Sequence, residues 1–390
     1  TYPRGAAPVR STQKLYIQGQ LAKGTFNFDP SVGYAEPPKS AGKKHRPIVI
    51  TPARSRIVQR AILDVLLEQS SIKGYIEKPT SFGGIKRTDP DQEVAVPGAI
   101  KFAVGKILSG NPYYIRSDIS GFFQKIPKSS VMIMIRSAIK DQQFCDLIEG
   151  AITIELTNLV ALREHADLFP REDVGVAQGC ALSPLFGNIL LSEFDNTLNI
   201  GPCACIRYID DFLILGPTPH DVAEAFDRAR GILAGFDMSV YDPIDRPDKA
   251  EQGHVNDDGV CFLGVELHNG SIRPSAKNRG ALISSINEII QHNTKVIPSN
   301  DVAERWSYHT SFMKCLLTIN SVVSGWGNQY YFCNDRQIFD DLDSRISDML
   351  RTAFASFVAI TSKLHRLGRR RLMGVKSLHD CKIEPIKWRV

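Results

Sequence analysis

The stretch Cys203-Ala204-Cys205-Ile206-Arg207-Tyr208-Ile209-Asp210-Asp211-Phe212-Leu213-Ile214-Leu215 decides how the rest of the chain is read. Two short apolar runs flank Tyr208-Ile209-Asp210-Asp211, which predicts a tight β-hairpin with adjacent carboxylates at its tip. Two unpaired carboxylates so close repel strongly at neutral pH. Divalent cations relieve that repulsion, and two metals roughly 3.5–4 Å apart can stabilise both the attacking and the leaving oxygen of a phosphoryl transfer. Asp-Asp alone is weak ground, because the pair recurs at 257–258 and 340–341, where an acidic surface turn is the plain reading.

A third carboxylate lies upstream, in Tyr113-Tyr114-Ile115-Arg116-Ser117-Asp118-Ile119-Ser120-Gly121-Phe122-Phe123. Tyr113 to Ile115 favour a strand, with Asp118 at its end before a Gly-assisted bend. Magnesium is held by a few carboxylates together with substrate phosphates. Asp118, Asp210 and Asp211 supply them if the two strands are neighbours; the alternative for Asp118 is a helix cap or turn residue. Between the two acidic sites, Ser183-Pro184 reads as a helix start, with Ser183 as N-cap and Pro184 first in the helix. Leu185, Ile189, Leu190 and Phe194 recur at helical spacing over 184–198, so one face is buried. Gln178-Gly179 form the loop before that helix, where backbone can approach a base or sugar closely.

The ordered set resembles the reverse transcriptases, specifically the bacterial branch akin to group II intron proteins and the defence-associated enzymes. It comprises Arg46-Pro47-Ile48 with Arg56-Ile57-Val58-Gln59, then Ser81-Phe82-Gly83 and Asp118-Ile119-Ser120-Gly121-Phe122-Phe123. It continues with Gln178-Gly179, Leu182-Ser183-Pro184, Tyr208-Ile209-Asp210-Asp211, Lys249 and Phe262-Leu263-Gly264, covering residues 43–270. The resemblance implies an α+β right-hand polymerase. Its N-terminal segment and fingers would span 1–116. A palm with an antiparallel sheet would span 117–272, with a fingers-side insertion at about 130–172. A helical thumb over 273–362 and a basic C-terminal segment over 363–390 complete it.

The resemblance further implies RNA-directed DNA synthesis with two Mg2+ ions, Mn2+ being an alternative. Asp118, Asp210 and Asp211, with Ile119, look like the metal site. Arg46, Arg56, Ile119, Phe123, Gln178 and Gly179 look like the dNTP pocket, Phe123 being the ring that excludes a ribose 2′-OH. Lys249, in Arg246-Pro247-Asp248-Lys249, matches the lysine that can protonate leaving pyrophosphate; a solvated surface lysine is the alternative. Lys44, Tyr208, Phe262, Leu263, Gly264, Arg369, Arg370 and Arg371 are expected along the nucleic acid. A primer 3′-OH activated by one metal would attack the α-phosphate while the second holds the triphosphate. Lys43-Lys44-His45-Arg46, Arg54 and Arg56 are candidate cations for that triphosphate, since Arg binds phosphate oxygens bidentately. A solvated basic loop is the alternative, favoured for Lys43. Thr51-Pro52 starts a helix with Ile57, Val58, Ala61, Ile62, Val65 and Leu66 on its buried face.

A chain of 390 residues can bury a large core and hold two or more subdomains. Its 47 basic and 42 acidic residues give a net charge of only +5, so distribution matters more than the sum. Lys363, Arg366, Arg369, Arg370, Arg371 and Lys376 stand with no acid between them, which favours contact with an RNA or primer–template backbone over a solvated face. Eight cysteines show no zinc spacing, and Cys203 and Cys205 are expected on one side of a strand. No apolar stretch approaches the roughly 18 residues of a membrane helix, and no signal-peptide pattern opens the chain. No membrane partner is expected, and a reducing cytoplasm is the simplest home. Thr1 in place of Met points to a trimmed start or a numbering that begins inside a longer chain.

Leu282, Ile286, Ile289 and Ile290 mark one amphipathic helix, residues near 302–323 a second, and Ile338, Leu342, Ile346, Leu350, Phe354 and Phe357 a long third. Together they resemble a polymerase thumb. Ser324-Gly325-Trp326-Gly327-Asn328-Gln329-Tyr330-Tyr331 is similar to a segment of the intron-type thumb; its aromatics are expected in a core rather than stacked on nucleotides. No endonuclease module, Cys-pair zinc site or retron-type Val-Thr-Gly segment follows, and Gln178-Gly179 differs from the Ser-Gln variant of diversity-generating elements. The resemblance thereby narrows to a stand-alone bacterial enzyme of antiphage defence. A structured non-coding RNA would be template or scaffold, dNTPs the substrates and cDNA the product; the oligomeric state stays open. Competing readings are a group II intron- or retron-type retroelement enzyme, an RNA-dependent RNA polymerase, which Phe123 opposes, and a catalytically idle RNA-binding module, which the three carboxylates oppose. Protein-primed synthesis is a further variant, with no Tyr or Ser marked for it.

Overall fold

The computed structural model of the chain describes residues 7–38, 45–84, 95–170, 172–296, 311–376 and 380. Two compact units divide it, residues 1–260 and 261–390. In the first, β1 (Val32–Glu36) and β2 (Arg46–Ile50) form an antiparallel ribbon. A four-stranded sheet follows, made of β3 (Tyr113–Asp118), β4 (Ala204–Tyr208), β5 (Asp211–Gly216) and β6 (Glu251–His254) in the order β4-β5-β3-β6. Phe212, Leu213, Ile214 and Leu215 of β5 are all fully buried, so both faces of this strand are covered and its apolar run needs no alternation. Helices Ala95–Leu108 and Pro219–Ala234 pack on the sheet. Cys203 and Cys205 are buried.

Two helices of this unit differ from the sequence reading. The helix expected over 184–198 is two, Ser183–Leu190 and Ser192–Thr197, parted at Leu191. Ser183 is not the N-cap, which is Leu182. Its buried hydroxyl instead donates to the Ala177 carbonyl at 2.7 Å and folds the preceding loop back on the helix. Helix Ala53–Glu68 begins after Pro52 as expected, but Ile57, Ala61 and Val65 face outward, Ile57 being 59% exposed. Its buried row is Ser55, Val58, Gln59, Ile62 and Leu66. The polar members have partners there: Ser55 Oγ accepts from the Asp29 N–H, and Gln59 Nε2 donates to the Ala151 carbonyl while Gln59 Oε1 is buried without a hydrogen-bond partner.

The second unit begins within β7 (Val260–Phe262), which with β8 (Val265–His268) and β9 (Ser271–Pro274) forms a three-stranded sheet. Helices Ala276–Val296, Phe312–Gln329 and Arg336–Ser362 share a core of Leu282, Ile286, Cys315, Ile319, Leu342 and Ile346. Residues 302–310 of the expected second helix lie outside the described residues. Phe354, expected on the buried face of the long helix, is 57% exposed, while Ala353 and Phe357 turn inward. Trp326 packs 4.7 Å from Tyr330 and 6.0 Å from Phe339, centroid to centroid, which is the core role expected; Tyr331 is exposed. Among the described residues no helix is long and apolar enough to cross a membrane.

Candidate active site

Ile209 and Asp210 form the two-residue turn between β4 and β5, closed by the pairing of Tyr208 with Asp211. Ile209 has φ +61°, which a β-branched residue seldom adopts, and Asp210 does not share it. This matches the II′ pattern, in which the first central residue alone has positive φ. β3 sets Asp118 opposite Asp211 in register. The Ile119 N–H donates to the Asp210 carbonyl at 3.1 Å, so three carboxyls from two distant segments meet at one end of the sheet.

Their electrostatics follow from that crowding. Burial first, then the charges of Asp210 and Asp211, push the Asp118 carboxyl up to about 7 against the pull of Lys249 and Arg116. Burial, with Asp210 beside it, pushes Asp211 up to about 6. Asp210 is raised too, chiefly by burial, though a hydrogen bond with Asp118 opposes this. Asp118 Oδ1 is buried without a hydrogen-bond partner. Such an oxygen suits a cation. Among the described residues no three acidic, histidine or cysteine side chains form a ready-made metal cage.

Lys249 lies in the turn before β6, and its charge reaches both Asp118 and Asp211. Its ammonium stands 5.5 Å from the Tyr241 ring centroid, with the Arg246 guanidinium 5.3 Å from the same ring. The Tyr241 N–H donates to the Asp118 carbonyl at 3.3 Å, so Lys249 is moored to the strand that carries Asp118. Arg116, which the sequence reading passed over, sits on β3 and pairs with Glu251 at 2.9 Å.

The loop at Gln178-Gly179 closes on β2. The Val49 N–H donates to the Gln178 carbonyl at 2.9 Å, and a Cβ on Gly179, at φ +114°, would stand 2.8 Å from the Val49 carbonyl oxygen. Only glycine permits that approach. β2 also carries Arg46, which is exposed. Phe123 is half-buried, 5.4 Å from the Phe122 ring, and its carbonyl accepts from the Val176 N–H at 2.8 Å, so the same loop braces it. Ile119 is 1% exposed, leaving its backbone as the part a ligand could meet. Arg56 is exposed, and Tyr208 is half-buried beside the tip. Arg54, expected as a triphosphate cation, is committed instead to Asp29 (2.8 and 3.0 Å) and Gln20. Lys43 and Lys44 lie outside the described residues.

Arg207 was also absent from the sequence reading. It is 0% exposed and binds Asp195 at 2.5 and 2.6 Å directly beneath the hairpin tip. An arginine before an acidic turn gave no sign of a partner twelve positions earlier. In the second unit Phe262 is buried, and Leu263-Gly264 form the two-residue turn from β7 to β8. Arg369 and Arg370 are exposed on helix Arg366–Met373. Arg371, expected on nucleic acid, is instead half-buried in an ion pair with Asp380 at 2.7 Å, an acid beyond the basic run.

A sequence profile described as "Reverse transcriptase (RNA-dependent DNA polymerase)" matches residues 37–267. The chain belongs to the reverse transcriptase family, and its mixed helices and antiparallel sheet are those of the right-hand polymerase fold. It is similar to Protein YkfC of Escherichia coli (strain K12), 29% identical over 270 residues, covering 59% of this chain and 65% of that protein. It is also similar to the "Uncharacterized 91 kDa protein in cob intron" of Schizosaccharomyces pombe, 29% identical over 170 residues, 44% of this chain and 19% of that protein. The chain thus spans less than two thirds of either relative. Solved structures give distant likenesses. Telomerase from Candida albicans with a fragment of telomeric RNA matches at a TM-score of 0.47 and 11% identity, over 90% of this chain and 63% of that one. A partial Cas6-RT-Cas1–Cas2 complex matches at 0.32 and 18%, over 59% and 38%.

Proposed function

We propose that this chain is an RNA-directed DNA polymerase. The observation that carries the reading is the register of Asp118 opposite Asp211, with Asp210 at the tip and Asp118 Oδ1 buried without a partner. The donor set fits Mg2+, or Mn2+, and Asp118, Asp210 and Asp211 with the Ile119 backbone would hold it. Two such ions, when bound, supply charge stabilisation to the attacking and leaving oxygens of phosphoryl transfer.

The chain's own groups carry the remaining roles. Phe123 excludes a ribose 2′-OH. Arg46, Arg56 and the Gln178-Gly179 loop bind the incoming dNTP. Lys249 holds a proton for the leaving pyrophosphate. Phe262-Leu263-Gly264, Arg369 and Arg370 support the nucleic acid, and residues 1–116, 117–272 and 273–362 serve as fingers, palm and thumb. The setting we infer is antiphage defence with a structured non-coding RNA, supported by the resemblance of the ordered motifs. A second reading, an intron-type retroelement enzyme, is favoured by the name of the fission-yeast relative.

Sequencing the nucleic acid that copurifies with wild type and with Asp210→Asn tests both. A defined RNA in each, with complementary DNA in wild type alone, is the expected result. RNA in both and DNA in neither, before and during phage infection, would leave a binding module. Intron sequence as the RNA would favour the second reading.

A further inference from the structure

Arg207 is among the largest fully buried side chains of the described residues, and the roles above give it nothing to do. All five guanidinium N–H groups find acceptors. Nε and one Nη2 hydrogen go to the Asp195 carboxylate at 2.6 and 2.5 Å, and the other Nη2 hydrogen to Ser81 Oγ at 3.0 Å. Nη1 donates to Asn188 Oδ1 at 2.8 Å and to the Ile209 carbonyl at 2.9 Å. Asn188 in turn donates to the Gly83 carbonyl at 3.0 Å. Residues around Ser81 run parallel to β4, the Phe82 N–H donating to the Arg207 carbonyl and the Arg207 N–H to the Thr80 carbonyl, both at 2.9 Å. Gly83 abuts the tip so closely that a Cβ there would stand 2.7 Å from Ile209 N and Cγ1.

Donor and steric contacts therefore converge on one residue, Ile209: the guanidinium holds its carbonyl, and Gly83 abuts the peptide that joins Tyr208 to it. That is where the backbone is strained, and strain of this kind persists only when the surroundings over-determine it. A buried ion pair is weak evidence of a stabilising role, since apolar side chains of similar volume often serve the fold as well. None of them could donate to the Ile209 carbonyl.

We propose that Arg207, set by Asp195, is a positioning residue that holds the Ile209 carbonyl and thereby aims the Asp210 carboxylate at the active site. This rests on the polymerase reading for its consequence in catalysis. Two full-length variants test it. Arg207→Met with Asp195→Leu removes both charges at similar volume; Arg207→Lys keeps the charge and loses the fork. Each is expected to melt within a few degrees of wild type and to bind an RNA–DNA primer–template within about twofold of it. Mn2+ binding to the protein alone, read by electron paramagnetic resonance, should weaken about 10–100-fold, and kcat should fall by a similar factor at little-changed dNTP KM. Wild-type Mn2+ affinity and kcat in either folded variant would overturn the proposal. So would loss of the fold in both, because the fork would then hold the core rather than the tip. A wild-type protein that extends no primer would sink the polymerase reading on its own, and the Mn2+ titration would still decide the fork.

Discussion

At Ile209-Asp210 the chain reverses on a β-branched residue at φ +61° and thrusts an acid against two others; at Leu263-Gly264 it reverses on φ +52° and +78° among neutral groups. Positive φ at both central residues is the I′ pattern, which glycine suits. The Gly264 carbonyl accepts from Asn278 Nδ2 at 3.1 Å and from the Ser275 N–H at 2.9 Å, which satisfies an ordinary turn. The first turn instead has a buried guanidinium below it, a glycine pressed against it and carboxyls whose ionisation burial disfavours. Both turns hold a bulky residue at positive φ, but the second is met by neutral donors, whereas the first, which presents charge, is held by a buried guanidinium and by steric contact.

Breaking the acidic tip should have the largest effect. Asp210→Asn is expected to lower Mg2+-dependent primer extension about 10³-fold or more while the melting temperature holds or rises, since one source of repulsion is gone. Near-wild-type extension would undo the contrast altogether. Gly83→Ala and Gly264→Ala form a matched pair. The first pushes on the tip and should cost about 10–100-fold in kcat, because small misplacements near reacting groups are expensive. The second should cost about 1–3 kcal/mol of stability, measured by urea unfolding, and weaken primer–template binding with kcat retained. Identical behaviour of the two would mean the turns do not differ in role. Phe123→Ala should raise ribonucleotide incorporation about tenfold relative to dNTPs, read in competition assays.

The electrostatic difference sharpens further with pH. In EDTA, Asp118 and Asp211 hold protons to about 7 and about 6, whereas unfolded carboxyls release them near 4. The folded state binds more protons in that window. This share of stability is therefore full below about pH 4 and lost as pH rises through 6 and 7. Asp118→Asn should flatten that part of the melting curve, and Mg2+ should oppose the loss. Smallest of all, Arg369→Ala with Arg370→Ala should reduce the salt slope of RNA binding by about 1–2, while Arg371→Ala lowers stability instead.

The hairpin was legible because apolar runs and paired acids are local features, whereas the residues left the meeting of Asp118 with Asp210 and Asp211 conditional and the family resemblance supplied it. What stayed hidden depends on partners that the local pattern does not name. Arg54 read as a free cation because Asp29 lies 25 residues away. Ser183 looked like a cap because nothing in Ser-Pro reveals the Ala177 carbonyl behind it. Ile57 and Val65 looked buried because hydrophobicity alone cannot show that Gln59 has the better claim to the core. Arg207 was invisible for the same reason, and it is the residue on which the tip leans.

That fork has a consequence for how the protein is made. Ser81 and Arg207 are 126 residues apart, and β3 waits for β5 and then β6 before its hydrogen bonds are met on both sides. During translation the segment holding Ser81 and Asp118 leaves the ribosome long before its partners exist. Contacts of such separation form late, after the loop between them has been closed. A nascent chain thus carries Asp118 apart from Asp210 and Asp211, and the charged cluster comes together only once the strand that ends at Gly216 has emerged.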